Sequence, residues 1–566
     1  MSRHREPLAG ARTGTGALTG ESTAIVISPR ARRVAVGVGA TAVLLAAIDT
    51  YVVVTLLTEM AADMHVVVDR IERANLIVTG FLLGYVSGMP LLGGLSDKLG
   101  RRAVIQISLG GFLVGSVITA GCTDIANFLD QYGHVEPLPF LVVGRTIQGF
   151  SGGALLPVTM ALVADLWAER RRPTVLGTVG AAQELGSVLG PLYGAALAAL
   201  IGWRGIFWIN VPLAAAAMVA VHFALPGREK LAHTGLRRKV DVTGGLLLAA
   251  SLGLLTAGLN NQDTTKSILP PHGPELIAAG AGVLVLFLLW EWRARTKLID
   301  LSSSAKLPFF AVLAASFIAG SALLVTLLDI SLLGQGVFLL SQEDSAKLLV
   351  RFLVALPVGA VLGGLLATRL GLRMVSVIGF VVAALAYWLV STWQVTIMAD
   401  RYHLIGLSLP RFDTDLALAG LGLGMVIAPL SAAILRIVPP NEHGVASAGV
   451  VVARTIGMLI GYASLTVWAL HRFHELAAGI DPPQYPIPTT EMPANSTAYQ
   501  QLLDTYNQAM TVYTAKVNEL LLNEYHVIFR ATALLCVVAA AVSLAIATRR
   551  TAETAVVVED GAAATA

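Results

Sequence analysis

Charge is what this 566-residue chain has least of: Asp, Glu, Lys and Arg together make up 13% of it, against about 25% in an ordinary soluble domain. That shortfall excludes a water-facing globular surface. With 55% hydrophobic residues and a mean hydropathy of +0.72, the composition is that of an integral membrane protein. Cysteine is almost missing too: Cys122 and Cys536 lie in separate apolar segments, so no disulfide between them is expected and cysteine says nothing of the compartment. There is no G-x-x-x-x-G-K-[ST] phosphate loop, so ATP does not drive the chain directly. No histidine is followed by an acid at the five-residue offset of common acyltransferases. Gly149 to Gly153 spells G-x-S-x-G, but inside an apolar run with no strand before it, so it reads as small-residue packing. Neither an enzyme, a metal site nor a cofactor is expected. The net charge is only +3 and the arginines cluster beside apolar segments, so nucleic acid is not implied. The first 33 residues carry Arg3, Arg5, Arg12, Arg30, Arg32 and Arg33 without an apolar core; they read as a disordered basic tail and not as a cleavable signal peptide.

Long apolar runs and glycine are abundant. A bilayer core about 30 Å thick needs roughly 20 apolar residues per helix, and fourteen such runs centre near residues 46, 85, 112, 151, 186, 215, 250, 284, 322, 356, 383, 426, 458 and 536. An even count puts both termini on one side. Arg101 and Arg102, Arg170 to Arg172, Arg237 to Lys239, Arg293, Arg369, Arg373, Arg549 and Arg550 all fall there, while the opposite loops carry few basic residues. By the positive-inside rule both termini are predicted to be cytoplasmic. The fold class expected is all-α integral membrane. Its plan is a tail over 1–33, a six-helix bundle over 34–225, a basic linker over 226–241 and an inserted helix pair over 242–295. A second six-helix bundle follows over 308–548, with an outer extension at 471–524, and then a tail over 551–566.

The stretch Gly93 to Arg102 (GGLSDKLGRR) joins two of these runs. Gly93, Gly94 and Gly100 permit a tight turn, and Asp97 is placed to pair with Arg101 or with the N-terminus of a neighbouring helix, where unpaired N–H groups and the dipole favour an anion. A contact of that kind is made in one conformation and broken in another. The stretch resembles the helix 2–3 loop of the major facilitator superfamily, G-x-L-A-D-R-x-G-R-R, with Ser96 for Ala and Lys98 for Arg. Gly363 to Gly371 (GGLLATRLG) echoes it in the second half, with Thr368 where Asp97 stands. Two related halves around a central site is the general plan of secondary transporters.

Four ionisable side chains interrupt the apolar runs: Asp49, Glu184, Arg145 and Arg454. Such groups are costly in a membrane unless paired or wet, so each is a functional candidate. Asp49 and Arg145 share a depth and are expected to pair. Glu184 and Arg454 share another depth, nearer the middle. An acid that exchanges its arginine for a proton as the halves rock would couple proton entry to transport; the alternative is a permanent pair that fixes helix register. Arg145-Thr146-Ile147-Gln148-Gly149 resembles the R-x-x-Q-G of the fourteen-helix drug:proton antiporters. Gly186 to Ala195 resembles their G-x-x-x-G-P-x-x-G-G, with Gly186, Gly190, Pro191 and Gly194 in place. That resemblance implies export. Tyr51, Val54 and Thr58 replace the family's Thr, Asn and Pro of helix 1, so fewer polar groups line it.

Between the last two runs, Tyr499, Leu502, Leu503, Tyr506, Met510, Tyr513, Val517 and Leu520 recur every three or four residues after a proline-rich turn. One helix is predicted to run from this stripe into the final span and to project about 35 to 40 Å beyond the bilayer at 1.5 Å per residue. A return arm through His471, Phe473, His474 and Leu476 is its expected partner; the rival reading is an amphipathic helix flat on the membrane. The outer hairpin, the apolar helix 1 and the fourteen-helix plan resemble mycobacterial triacylglyceride exporters. The resemblance implies a proton-coupled exporter of lipidic substrates in a bacterial inner membrane, monomeric and acting with a periplasmic lipid-carrying lipoprotein. Two further readings are a polyspecific multidrug:proton antiporter and a non-transporting scaffold that presents the hairpin.

Overall fold

The computed structural model describes residues 28–64, 72–131, 135–225, 241–259, 270, 272–294, 306–404, 407–462, 464–465, 468–485 and 497–547. Residues 1–27 with Arg3, Arg5 and Arg12, the 226–240 part of the basic linker, the 551–566 tail, Arg549 and Arg550 lie outside them. The first half contains α1 (Pro29–Asp63), α2 (Glu72–Leu99), α3 (Arg101–Ala120), the short α4 (Cys122–Asp130), α5 (Leu138–Gly153), α6 (Leu155–Leu166) and α7 (Arg172–Ala224). An added pair follows, α8 (Val242–Leu259) and α9 (Gly273–Arg293). The second half holds α10 (Lys306–Gly336), the short α11 (Gln342–Leu348), α12 (Val350–Leu370), α13 (Leu372–Val390), α14 (Arg411–Ile437), α15 (His443–Tyr462), α16 (Trp468–Ala477) and α17 (Thr497–Ser543). Twelve described stretches are long and apolar enough to cross a membrane. α8 and the part of α7 before Ala196 supply two more passages, fourteen in all. α7 is two helices meeting at Gly202, whose φ of +67° an L side chain rarely adopts.

The first helix begins ahead of the expected 33/34 boundary. Ser28 Oγ accepts a hydrogen bond from Ala31 N–H at 3.2 Å and Pro29 occupies the first turn, so Arg30, Arg32 and Arg33 belong to α1 and not to a tail. The repeat is visible in the backbone. Gly100 (φ +90°) opens α3 and Gly371 (φ +87°) opens α13. Leu166 ends α6 and Ile437 ends α14; Arg172 starts α7 and His443 starts α15. Each of these matches is a shift of 271 residues. The halves meet where α2 packs on α15 and where α7 packs on α12, and α8 lies against α2 with α9 behind it.

The outer connection after α13 adds a small element absent from the all-α reading. Strand β1 (Arg401–Leu404) pairs antiparallel with β2 (Leu407–Pro410), and Asp415 pins it by accepting from Trp393 Nε1 at 2.8 Å and from the Tyr402 hydroxyl at 3.0 Å. At the far end of the molecule, α17 runs unbroken for 47 residues, about 70 Å at 1.5 Å per residue, more than twice a bilayer core. Its inner end is fixed by Arg373 Nε donating to Ile546 O at 2.9 Å, so its outer half projects away from the Gly93–Arg102 turn. α16 packs along its root, and Tyr485 meets Tyr506 edge-on at 5.2 Å between ring centres. Along the stripe, Leu502 is 45% exposed, Tyr499 is buried, and Leu503, Tyr506, Met510, Tyr513, Val517 and Leu520 are half-buried; Val512, off the stripe, is 68% exposed.

Candidate gate and central ion pairs

The Gly93–Arg102 turn touches the other half of the molecule directly. A Cβ on Gly444 would lie 2.2 Å from Gly93 O, so the two backbones meet only because both residues are glycine. That approach lets Asp97 accept from Gly444 N–H at 2.9 Å and from Val445 N–H at 3.2 Å, at the N-terminus of α15. The contact pairs a carboxylate with unpaired N–H groups and the positive end of the dipole. Arg101 holds the acid in place: its Nη1 is 2.5 Å from Asp97 and 2.6 Å from Ser96 Oγ, and its Nε is 2.8 Å from Asp165. His443 Nδ1 lies 3.3 Å from Asp165. Arg102 has no ion pair among the described residues. A second bridge between halves, Arg436 Nε to Glu169 Oε1 at 2.5 Å, closes the same end.

Asp49 and Arg145 meet inside the first half, at 2.7 Å, with both side chains 1% exposed or less. Asn210 donates to the second carboxylate oxygen at 2.6 Å. Arg145 also donates to Gln148 Oε1 at 3.1 Å and lies 4.2 Å from the centre of the Phe81 ring. Gln148 Nε2 donates in turn to Ser116 Oγ at 2.8 Å. All these partners belong to one half, so rocking of the halves does not pull them apart. Gly149 serves packing: a Cβ there would lie 2.0 Å from Phe81 O.

Glu184 and Arg454 are arranged differently. Glu184 is on α7 and Arg454 on α15, one from each half, and their 2.8 Å contact spans the centre. They line a narrow cavity of about 20 Å³ walled by Leu156, Met160, Ala319, Val426 and Leu430. In the antiporter motif, a Cβ on Gly186 would lie 2.3 Å from Ala47 Cβ and one on Gly190 2.7 Å from Tyr51 Cβ. These glycines therefore seat α7 against α1, with Pro191 inside the helix and Gly194 buried.

Several charged groups escaped the sequence reading. Asp165 and His443 sit at helix ends and were legible only as loop residues. Asp329 is fully buried within α10, and Glu524 is 1% exposed at the root of α17, 3.7 Å from Arg472. The rule that selected Asp49 also selects Asp329, an acid in the middle of an apolar run.

Paired helix bundles repeated at a fixed shift, joined at one end by the Asp97 contact and at the centre by an ion pair, have the general plan of secondary transporters. Residues 39–462 match the family model of the Major Facilitator Superfamily, and the chain belongs to that superfamily: it is a multi-pass membrane transporter and not an enzyme. It is 48% identical over 533 residues to a triacylglyceride transporter of Mycolicibacterium hassiacum, covering 93% of this chain and 94% of that one. It is 46% identical over 525 residues to a triacylglyceride transporter of Mycobacterium tuberculosis, covering 92% and 95%. Among solved structures, a proton:xylose symporter superposes with a TM-score of 0.54 at 14% identity, over 89% of this chain and 95% of that one. The human organic anion transporter MFSD10 does so with 0.51 at 18%, over 90% and 100%.

Proposed function

We propose that the protein exports a triacylglyceride-like lipid from a bacterial inner membrane toward the periplasm, driven by protons, with both termini cytoplasmic. The observation that carries this reading is the central cavity: half of its fourteen lining residues are Leu, Met, Ile or Val, and the charged pair facing it, Glu184 with Arg454, links the two halves. Neutral acyl chains need apolar walls, and a carboxylate that trades an arginine for a proton supplies the coupling. Glu184 is the better carrier of the two acids, because opening the halves separates it from Arg454 while Asp49 keeps Arg145. Asp97 and Arg101 latch the cytoplasmic end. The identity to transporters named for triacylglycerides supports the substrate class. Apolar walls also suit lipophilic drugs, the reading favoured by the antiporter motif on α7; dye efflux that competes with lipid separates the two.

The outer hairpin then receives the lipid or docks a lipid-carrying lipoprotein. Its exposed apolar side chains, Leu476, Tyr485, Leu502 and Val512 among them, have the character of a lipid-guiding surface. Deletion of residues 480–520 is expected to reduce lipid export to background while the detergent-purified protein keeps its unfolding midpoint. Normal export by that variant at matched membrane levels refutes the role given to the hairpin.

A further inference from the structure

The 271-residue shift that relates the halves carries the gate of the first half onto a second site at the same end. Gly93 maps to Gly364, and Gly444 to Pro173; a Cβ on Gly364 would lie 2.5 Å from Pro173 O, so the same close backbone approach is present. The charges are not the same. Asp97 maps to Thr368 and Asp165 to Arg436, so both acids of the first gate are missing from the second. The Thr368 hydroxyl turns back to Leu365 O at 2.6 Å and supplies nothing across the gap. Arg101 maps to Leu372.

Where the first gate is filled by Asp97 and Arg101, the second holds a cavity of about 510 Å³ that opens outward at this end of the bundle. Its walls carry Arg170, Arg369 and Arg436 against a single acid, Glu169. Glu169 engages Arg436. Arg170 and Arg369 have no ion pair among the described residues, and both are exposed. The cavity is built from both halves: Glu169, Arg170 and Pro173 come from the first, and residues 367–371 and Arg436 from the second.

We infer that this second gate is an anion site for a phosphate group, which takes the place of the carboxylates lost at positions 368 and 436 and ties the halves together at this end. Arginine suits the task, because its planar fork grips phosphate oxygens through charge-assisted bonds. The phosphate arrives either free, as inorganic phosphate or a nucleotide, or on the headgroup of an anionic phospholipid. The site stands on the fold and the gate geometry alone, so its test needs no transport assay and its failure leaves the export reading in place.

The experiment is thermal unfolding of the full-length protein in detergent with sodium phosphate against sodium chloride at equal ionic strength. It is repeated in nanodiscs of phosphatidylglycerol against phosphatidylcholine. Wild type is expected to gain stability from phosphate, from phosphatidylglycerol or from both, and the arm that responds identifies the source. Arg369→Gln and Arg170→Gln should each weaken the response on the order of tenfold in apparent affinity. Thr368→Asp restores the built-in acid and should abolish it. No gain in either arm, or an equal gain in wild type and in the two arginine variants, overturns the inference.

Discussion

Glu184→Gln is expected to slow proton-driven lipid export on the order of a hundredfold while the protein still reaches the membrane. Its carboxylate is the acid whose partner, Arg454 at 2.8 Å, belongs to the other half of the molecule. When the halves separate, the pair comes apart, and the proposed coupling is the exchange of Arg454 for a proton at that carboxylate. The amide keeps the shape and a hydrogen bond to Arg454 but binds no proton. A hundredfold loss of rate corresponds to about 2.7 kcal/mol in the barrier, at about 1.36 kcal/mol per tenfold. Arg454→Gln is expected to fail in a different way, because it leaves the carboxylate without its counter-ion in every state. Export by Glu184→Gln that still follows the pH gradient places coupling elsewhere.

Asp49→Asn is expected to act through stability first. Asp49 is held by Arg145 at 2.7 Å and Asn210 at 2.6 Å with no access to water. The change leaves Arg145 charged and buried, with Gln148 and the Phe81 and Phe207 rings beside it, at a cost of about 3–5 kcal/mol. Neutral hydrogen bonds between membrane helices average about 0.6 kcal/mol, so a loss of several kcal/mol identifies the charge as the source. The double variant Asp49→Asn, Arg145→Gln removes both charges and should recover most of the loss. Reversible unfolding of the purified protein reads both effects. An Asp49→Asn protein as stable as wild type but unable to couple transport to protons returns the carrier role to Asp49.

The architecture was legible because a membrane imposes a strong rule: every span needs an apolar run, and fourteen runs gave fourteen passages. The charged turn and its contacts were legible for a related reason, since Gly93, Asp97, Gly100 and Arg101 each have a narrow physical purpose in a tight charged turn. What the sequence concealed were relations across the chain. Depth along a helix suggested the Asp49 and Glu184 pairs, but depth cannot say which pair lies inside one half and which spans two. That difference rests on α5 packing within the first half and α15 belonging to the second. Asp165 and Arg436 looked like unrelated loop-end charges 271 residues apart; only the superposed helix ends α6 and α14 reveal them as one position with opposite sign. The β1–β2 hairpin was missed because its eight residues are short and flank a Trp and an Asp whose contact is tertiary.

The most direct test of the account is lipid movement in proteoliposomes that contain the purified full-length protein, with and without an imposed pH gradient. The account predicts that a fluorescent triacylglyceride leaves the membrane for an external acceptor faster when protons run down their gradient through the wild-type protein, and that Glu184→Gln abolishes this acceleration. A rate that is the same with and without the gradient contradicts proton-coupled export.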